Sequence, residues 1–409
     1  MNGSRIRTAV LHAAYTDLFS YYDDWKDAFL RDPGFDADAV NVCDRRGLAR
    51  LADRIGEYDL VVLLHSTNAD TLEHVDRCRG MLCRRRGKLL SFVGNEVNLP
   101  GVSLGGKIDF LREVGAEFIG TQLPLDAGQW LYEECRGSRV VPLPHALNPE
   151  AFRPVVPQAA REIDIGARSH QYLPFLGDDE RNRMLGYFLG GPFDPPMRVD
   201  IDTRARLNRE GWAAFLNRCK GTIATEAGSY YLERDDRTVR AIQDYVNEKK
   251  GREGVRVVRK GSLLEKAGLA IPRALRRRMK GMLEAANIRQ EFLVHQAADY
   301  EEIRDRFFAD LAKPPVYTKA ISSRHFDAIG AKTCQIMFPG RFNGILRADE
   351  HYLALQRDFS NVRDVLSRFA DGTYRAGMAD RAYEYVMEEH TYRNRLSVVR
   401  KLLEEPGGG

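Results

Sequence analysis

Four residues of the types that bind phosphate and ribose lie at the start of a segment, late in the chain, whose apolar residues have helical spacing. They are Ser322, Ser323, Arg324 and Asp327. Free amides at a helix start, together with a guanidinium, bind phosphate, and a carboxylate accepts hydrogen bonds from ribose hydroxyls. This spacing therefore indicates a binding site for a nucleoside diphosphate.

A helix and a strand must position these residues. Apolar residues recur every three or four positions after Ser322, which predicts a helix that begins at Ser322 or Ser323 and ends by Lys332. The apolar run 334–338 then predicts a buried strand. Lys332 and the more distant Arg168 would supply further positive charge for a phosphate.

Strand and helix patterns alternate in both halves of the sequence. In the first half, the apolar runs that predict strands lie at 7–12, 39–43, 60–65, 89–93 and 117–120. This alternation is typical of a parallel, doubly wound α/β sheet, in which ligands bind beyond the carboxyl ends of the strands. His12, His65 and Glu96 each follow a predicted strand, so they are candidates for a general base. The phosphate loops GxGxxG and GxxxxGKS/T are absent from the sequence.

Four prolines between residues 140 and 154 mark a domain boundary, because proline continues neither a helix nor a central strand. The expected domains are residues 1–150 and 151–389. A charged, mostly helical insertion is expected at about 230–313 within the second domain. Residues 390–409 would form a final helix and a tail.

The composition is that of a long globular chain. Its 409 residues carry a net charge of +4 and are 44% hydrophobic. No apolar run reaches the ~18 residues that cross a bilayer, and the six scattered cysteines are expected to be reduced. These features favour a cytoplasmic protein.

One segment carries the excess positive charge, with ten basic residues against two acidic ones from 252 to 280. Leucines and arginines mix over 261–283, as in a helix that lies on a membrane surface, although a solvated helical excursion is the simpler interpretation. Peripheral contact with the inner membrane face therefore stays open for 261–283. The segment lacks interleaved aromatic residues, which argues against nucleic-acid binding.

Five segments, taken in order, carry a family resemblance. They read VPLPHALNPEAFRP, KGTIATEAGSYYLERDD, ISSRHFDAIGAKTCQIMFPGRFNGIL, DEHYLALQRDFSN and RAYEYVMEEHTYRNR. Over roughly 140–403 the chain resembles the CgeB-like branch of the GT-B glycosyltransferases, grouped with glycosyltransferase group 1. The resemblance implies two facing Rossmann-like domains, the first for an acceptor and the second for a nucleotide sugar, with a C-terminal helix that crosses back to the first.

The same resemblance implies roles for individual residues. Asp327 takes the place of the glutamate that binds the nucleotide ribose, and Glu226 resembles the strand-end glutamate that faces the sugar cleft. Arg168 would add a phosphate contact. Related enzymes often carry two glutamates spaced E-x7-E, and Lys319 occupies the earlier position here. Retention of anomeric configuration is expected from the family, and Lys319 leaves inversion open.

A metal ion is not expected. Asp200 and Asp202 form a D-x-D pattern, with which another class of glycosyltransferases binds manganese, but the fold context differs from that class. Arginine, lysine and the helix start would instead stabilise the departing diphosphate. No cofactor is expected beyond the nucleotide-sugar donor.

The sequence therefore favours a metal-independent glycosyltransferase of polysaccharide biosynthesis. Its partners would be a nucleotide sugar and a glycan, lipid-linked or small-molecule acceptor, and its catalytic candidates are Glu96, His12 and Glu226. A nucleotide-sugar 2-epimerase and a catalytically silent nucleotide-sugar-binding protein remain open, because the same architecture serves both.

Overall fold

The computed structural model describes residues 5–405, except 17, 70, 102 and the segment 259–286. The stretch proposed for membrane contact, 261–283, thus lies outside the described residues. The described chain forms two lobes, and each lobe is built around a parallel sheet.

The first lobe contains six parallel strands in the order β2-β1-β3-β4-β5-β6. The strands are β1 (Ile6–His12), β2 (Phe35–Asn41), β3 (Leu60–Leu63), β4 (Lys88–Phe92), β5 (Phe118–Thr121) and β6 (Arg139–Pro142). The helices are α1 (Ser20–Arg31), α2 (Arg45–Arg54), α3 (Glu73–Asp76), α4 (Arg79–Leu82), α5 (Leu104–Glu113) and α6 (Leu125–Leu131). Strand β3 reads LVVL and is buried throughout, because helices cover both faces of a parallel sheet.

The second lobe contains five parallel strands in the order β15-β14-β9-β7-β8, and two smaller strand pairs, β10 with β13 and β11 with β12. The strands are β7 (Ile163–Arg168), β8 (Val199–Asp202), β9 (Cys219–Ala224), β10 (Ala227–Gly228), β11 (Arg256–Val258), β12 (Ile288–Gln290), β13 (Lys319–Ala320), β14 (Cys334–Met337) and β15 (Leu353–Ala354). The helices are α7 (Glu180–Gly190), α8 (Arg209–Leu216), α9 (Arg237–Arg252), α10 (Glu291–Gln296), α11 (Tyr300–Phe307), α12 (Ser323–Gly330), α13 (Val362–Ala370), α14 (Gly372–Glu389) and α15 (Tyr392–Glu404).

Helix α15 crosses back to the first lobe. Its residues Leu396 and Val399 belong to the same buried cluster as Trp25 and Phe29 of α1. The crossing and the proline-rich connection meet at Leu147, which pairs with the backbone at Thr391, next to the start of α15. None of the helices in the described part of the chain combines the length and the hydrophobicity that a bilayer crossing requires.

One sequence-based expectation needs correction. The proline-rich stretch from 140 to 154 does not run as a connection from its first residue, because residues 139–142 form β6 and pair with β5. Strand β6 lies at the sheet edge, where the missing N–H of Pro142 costs no ladder hydrogen bond. The insertion also contains the parallel pair β11–β12 besides its helices.

Candidate functional site

The second lobe has a pocket at the point where its strand order reverses. From β7 the chain passes to β8 on one side and returns to β9 on the other, so a crevice opens beyond the carboxyl ends of β7 and β9. The residues that line the pocket come from these strand ends, from β14 and from the helices α7, α8 and α12: Ala167, Arg168, Ser169, Arg181, Met184, Leu185, Trp212, Thr222, Ile223, Ala224, Thr225, Ser322, Arg324 and Gln335.

Helix α12 begins at this pocket, as the sequence predicted. Ser322 is its N-cap residue and forms a capping box with His325. The backbone N–H of Ser322 donates to Nδ1 of His325 at 3.0 Å, which fixes the entry of the chain into the helix. Ser323 is buried in the first turn. The positive end of the helix dipole therefore lies at the pocket, where it favours an anion.

Three residues that line this pocket each have a buried polar atom with no hydrogen-bond partner among the described residues. These atoms are Nη1 of Arg324, Oγ1 of Thr225 and Oε1 of Gln335. Buried polar atoms are almost always paired, because leaving one unpaired costs about 1–3 kcal/mol. Their convergence on one pocket, as two donors and one acceptor, indicates a polar ligand.

The pocket also concentrates positive charge. The guanidinium groups of Arg181, Arg206 and Arg324 stack on aromatic rings, and none of the three pairs with a described carboxylate. Burial lowers the pKa of Arg324 to about 10. Burial, together with Arg206 and Arg324, lowers the pKa of His170, so this imidazole is neutral at pH 7. Arg324 still feels the charge of Asp327, but clustered guanidinium groups outside ion pairs attract an anion of high charge, such as a diphosphate.

Asp327 lies behind the pocket, on the face of α12 toward the first lobe. Its Oδ2 accepts from the indole N–H of Trp212 at 3.0 Å and from the hydroxyl of Ser20 at 3.3 Å. Burial raises the pKa of Asp327 well above its usual range, and the nearby Asp24 adds to the shift. The structure thus places Asp327 beside the arginine site, and its contact with a ribose stays a prediction.

Solved structures with this architecture are distant in sequence. HepE of Anabaena, in complex with UDP and glucose, has a TM-score of 0.50 and 9% identity, covering 98% of this chain and 100% of that chain. An alpha-glucosyltransferase in complex with UDP-glucose and DNA containing an abasic site also has a TM-score of 0.50, with 8% identity, covering 98% of this chain and 100% of that chain. The chain has the GT-B fold. No protein-family model matches the sequence, and a comparison with curated proteins gives no match. The CgeB-like grouping stays a prediction.

Within this GT-B frame, Arg168 lines the pocket but has a partner in its own lobe. Its guanidinium pairs with Asp200 at 2.8 Å and stacks on the ring of Phe215. The second aspartate of the D-x-D pattern, Asp202, accepts from the backbone N–H groups of residues 204 and 205. Both aspartates therefore have protein partners, and Arg168 is the least available of the pocket arginines.

Lys332 is not brought to the pocket. It follows the carboxyl end of α12, and its Nζ pairs with Asp380 of α14 at 2.6 Å. The spacing predicted a helix that ends by Lys332, and the structure places Lys332 just after α12, at the end opposite the phosphate-binding start. Its predicted phosphate contact has no support in this geometry.

Glu226 follows β9, and its own lobe occupies both oxygens of its carboxylate. Oε1 accepts from the backbone N–H of Phe342 at 2.6 Å, and Oε2 accepts from the hydroxyl of Tyr317. Burial raises the pKa of Glu226. These bonds hold the loop after β14 against the end of β9. Glu226 therefore contributes to the cleft by fixing the position of this loop.

Lys319 lies in a buried ionic cluster that the sequence did not indicate. Its Nζ is 2.8 Å from Asp178 and also pairs with Glu180, and the side chain of Lys319 is fully buried. Glu180 pairs in turn with Arg357. The lysine at the earlier E-x7-E position is thus balanced by two carboxylates from the segment before α7 and its first turn.

The first-lobe candidates differ in their availability. Glu96 is saturated: Oε1 accepts from Thr121 and Tyr132, both at 2.6 Å, and Oε2 accepts from the backbone N–H of Gln122 at 2.7 Å. His12 is half-buried, and burial, with Lys26 adding to the effect, lowers the pKa of His12 to about 4.

His65 lies deeper in the same lobe. It is 1% exposed and its Nε2 contacts the amide of Gln122 at 2.8 Å. Of the first-lobe candidates, His12 is the one that combines a neutral imidazole with partial exposure.

Among the polar residues that sequence reasoning missed, Arg181, Thr225 and Gln335 line the pocket, and Arg206 is close enough to act on Arg324 electrostatically. Arg181 is in the first turn of α7, Arg206 is in the loop before α8, Thr225 follows β9, and Gln335 is within β14. The sheet topology brings them together, and no linear spacing relates them. The one available signal was Gln335, a polar residue inside an apolar strand.

Proposed function

We propose that this protein is a glycosyltransferase that moves a sugar from a nucleoside-diphosphate donor to an acceptor bound between the lobes. The observation that carries the proposal is the convergence of unpartnered Arg324 Nη1, Thr225 Oγ1 and Gln335 Oε1 on one pocket of a GT-B fold. The two solved relatives, whose bound ligands include UDP or UDP-glucose, support a nucleotide-sugar donor for this chain.

The pocket suits the departure of a diphosphate. As the glycosidic bond breaks, negative charge grows on the phosphate oxygens, and donors that are already oriented stabilise it most. Arg324 and the start of α12 would contact the diphosphate directly. Arg181 and Arg206 would raise the local positive potential further.

We propose that these cations act without a metal ion. Asp200 pairs with Arg168, and Asp202 accepts from backbone amides, so the D-x-D carboxylates are engaged in the protein. The described residues contain no group of three or more side chains arranged to hold a metal. Transfer activity should then survive treatment with a chelator.

Retention of configuration is proposed for the transfer. Inversion needs a general base on the acceptor side. Glu96 and Glu226 have both oxygens bonded within their own lobes, and His12, with a pKa of about 4, is a weak base. The acceptor would be a glycan, a lipid-linked saccharide or a small molecule.

Titration calorimetry with UDP, GDP and ADP tests the donor site. Wild-type protein should bind one of them, and Arg324→Ala should lose about 2–4 kcal/mol of binding or transition-state free energy. Arg363→Ala is the matched control, because Arg363 is exposed and pairs with Asp194 on the surface. Equal affinities of wild type and Arg324→Ala would overturn the site.

Product analysis separates the alternative functions. A transferase releases nucleotide when an acceptor is present, whereas a 2-epimerase converts the donor sugar without any acceptor. A silent binding protein would bind nucleotide and release none from its sugar. Nucleotide release that depends on acceptor would support the proposal.

A further inference from the structure

The segment that opens the second-lobe insertion is docked on the first lobe. We call residues 231–236 the strap. Leu232 of the strap is 3% exposed and belongs to the same buried cluster as Leu104 and Ile108 of α5. The guanidinium of Arg234 lies 4.6 Å from the ring of Trp130 in α6, so the strap adds apolar and aromatic contacts to the first-lobe core.

Asp236, at the end of the strap, caps a helix of the other lobe. Its Oδ2 accepts from the hydroxyl of Ser103 at 2.9 Å and from the backbone N–H of Gly105 at 3.1 Å. Its Oδ1 accepts from the side-chain amide of Asn98 at 2.8 Å. Gly105 is in the first turn of α5, where amides have no partner within the helix, and a carboxylate there also favours the helix dipole.

Asn98 completes the attachment from the first-lobe side. Its amide nitrogen donates to the backbone carbonyl of Glu233 at 2.9 Å, and its Oδ1 accepts from the N–H of Glu233 at 2.8 Å. Asn98 therefore pairs with the strap as a neighbouring β-strand would. Both Asn98 and Asp236 are almost fully buried, which shields these bonds from water.

The backbone of Asp236 is held in an unfavourable conformation. Its φ of 55° and ψ of 25° lie in the left-handed region, which a non-glycine residue adopts at a cost. Such a conformation persists only where surrounding contacts over-determine it, and the bonds from Asn98, Ser103 and Gly105 do so here. Strain of this kind is concentrated at functional positions.

The strap joins the lobes on the face of the first sheet opposite to the crossing helix. Helix α15 packs with α1 on the face that presents Val10 and Val62. The strap packs with α5 on the face that presents Leu11 and Leu63. With attachments on both faces, rotation of one lobe about the interlobe connection requires the strap to detach.

The loop between β4 and α5, which the strap holds, is connected to the cleft. The loop that Asn98 and Ser103 attach to the strap also includes Glu96, whose Oε2 accepts a hydrogen bond from the backbone N–H of Gln122. The backbone carbonyl of Gln122 accepts from the side chain of Asn343 in the second lobe at 2.9 Å. Asp236 is thereby linked, through the loop and Glu96, to a direct contact between the lobes.

We infer that Asp236 is a positioning residue. It fixes the orientation of the two lobes relative to each other, and so it fixes the position of the acceptor side of the cleft relative to the donor pocket. The mechanical part of this inference stands on the contacts alone. Its catalytic consequence rests on the proposed transferase function. Loss of the carboxylate should loosen the acceptor side while leaving the donor pocket, which lies wholly in the second lobe, intact.

Asp236→Gly isolates the carboxylate, because glycine accepts the left-handed backbone without strain. Asn98→Ala removes the same attachment from the other lobe, and Asp235→Ala is the matched control, since Asp235 is exposed and pairs with Arg237. Small-angle scattering should give a larger radius of gyration for the first two variants and an unchanged one for the control. Amide hydrogen exchange should accelerate at 104–107 in the same two variants.

Kinetics test the catalytic consequence. In Asp236→Gly, kcat/KM for acceptor should fall by about tenfold or more, as expected when reacting groups are misplaced by about 1 Å, while the UDP Kd stays near wild type. Unchanged scattering and exchange in both Asp236→Gly and Asn98→Ala would overturn the inference. If wild-type protein binds no nucleotide and transfers no sugar, the proposed function fails, and scattering and exchange still decide the lock.

Discussion

The indole N–H of Trp212 donates to Oδ2 of Asp327 at 3.0 Å. The guanidinium of Arg324 lies over the same indole, 4.6 Å from its ring. One side chain of α8 thus satisfies a buried carboxylate and supports the arginine of the donor pocket. The orientation of Arg324 therefore depends on Trp212, which packs against it in the fold although it lies more than 100 positions earlier in the sequence.

Replacing Trp212 by Phe should separate these two roles. A phenyl ring still offers a face to Arg324, but Asp327 loses a donor, and an unsatisfied buried acceptor costs about 1–3 kcal/mol. We expect that loss in the free energy of unfolding, measured in urea, with a smaller loss in nucleotide affinity. Asp327→Asn is the companion variant, because its amide oxygen still accepts from the indole. Equal destabilisation in both variants would contradict the assigned hydrogen bond.

Thr225→Val should weaken ligand binding without destabilising the free protein. The hydroxyl of Thr225 is buried without a partner, so valine of the same shape removes an unsatisfied group. We expect an unchanged or slightly higher Tm, and a nucleotide affinity lower by about 1–2 kcal/mol if the hydroxyl contacts the ligand.

Thr333→Val provides the contrast to Thr225→Val. The hydroxyl of Thr333 donates to the carbonyl of Leu216 and accepts from Arg161, so its removal should lower Tm without affecting nucleotide affinity. Reversed behaviour of the two threonines would show that the pocket is not the ligand site.

The contact between α1 and α8 should respond to pH through Asp24. Burial raises the pKa of Asp24 to about 6, despite hydrogen bonds from Asn148 and Arg209. Because this folded-state pKa exceeds the unfolded one, the native state binds the proton more tightly. The resulting stabilisation is fully present below pH 4 and is lost as pH rises through 6.

Asp24→Asn isolates this contribution from that of the histidines. Burial lowers the pKa of His65, His145 and His325, so their contribution has the opposite sign and is lost as pH falls below the unfolded value of about 6.5. The unfolding free energy of wild type minus that of Asp24→Asn should rise by roughly 2 kcal/mol from pH 7 to pH 4. A flat difference across this range would contradict the raised pKa.

Much of the fold follows from local patterns. The run 60–63 is apolar throughout and 334–337 is apolar except for Gln335, so both predicted buried strands, and the capping residue Ser322 set the start of α12 correctly. Strand β6 was missed because prolines at 142 and 144 resemble a linker, and only the neighbouring β5 reveals the pairing.

The site was predicted in part, because it combines a local motif with distant residues. The helix start and Arg324 were visible as a spacing, since neighbours along one helix share a face. Arg181 and Gln335 reach the same pocket from α7 and β14, and their convergence is a property of strand order. The sequence also does not show which charged residues pair with each other. Arg168 was therefore predicted to contact phosphate, although Asp200 pairs with it.

Lys319 should be essential for stability because of the charges around it. Asp178 and Glu180 would be left as neighbouring buried carboxylates without their lysine, and removing one partner of a buried ion pair costs about 3–5 kcal/mol. Lys319→Met should therefore lower the unfolding free energy strongly, and Lys319→Glu, which restores a carboxylate at the earlier E-x7-E position, should lower it further by adding a third carboxylate to the cluster.

A double variant shows whether charge or packing explains the effect of replacing Lys319. Lys319→Met combined with Asp178→Asn removes one positive and one negative charge, while Arg357 still balances Glu180. This double variant should recover much of the stability lost in Lys319→Met, because the uncompensated charge, not the missing volume, dominates the cost. If the two single substitutions instead cause additive losses of unfolding free energy in urea, Lys319 acts by packing rather than by charge.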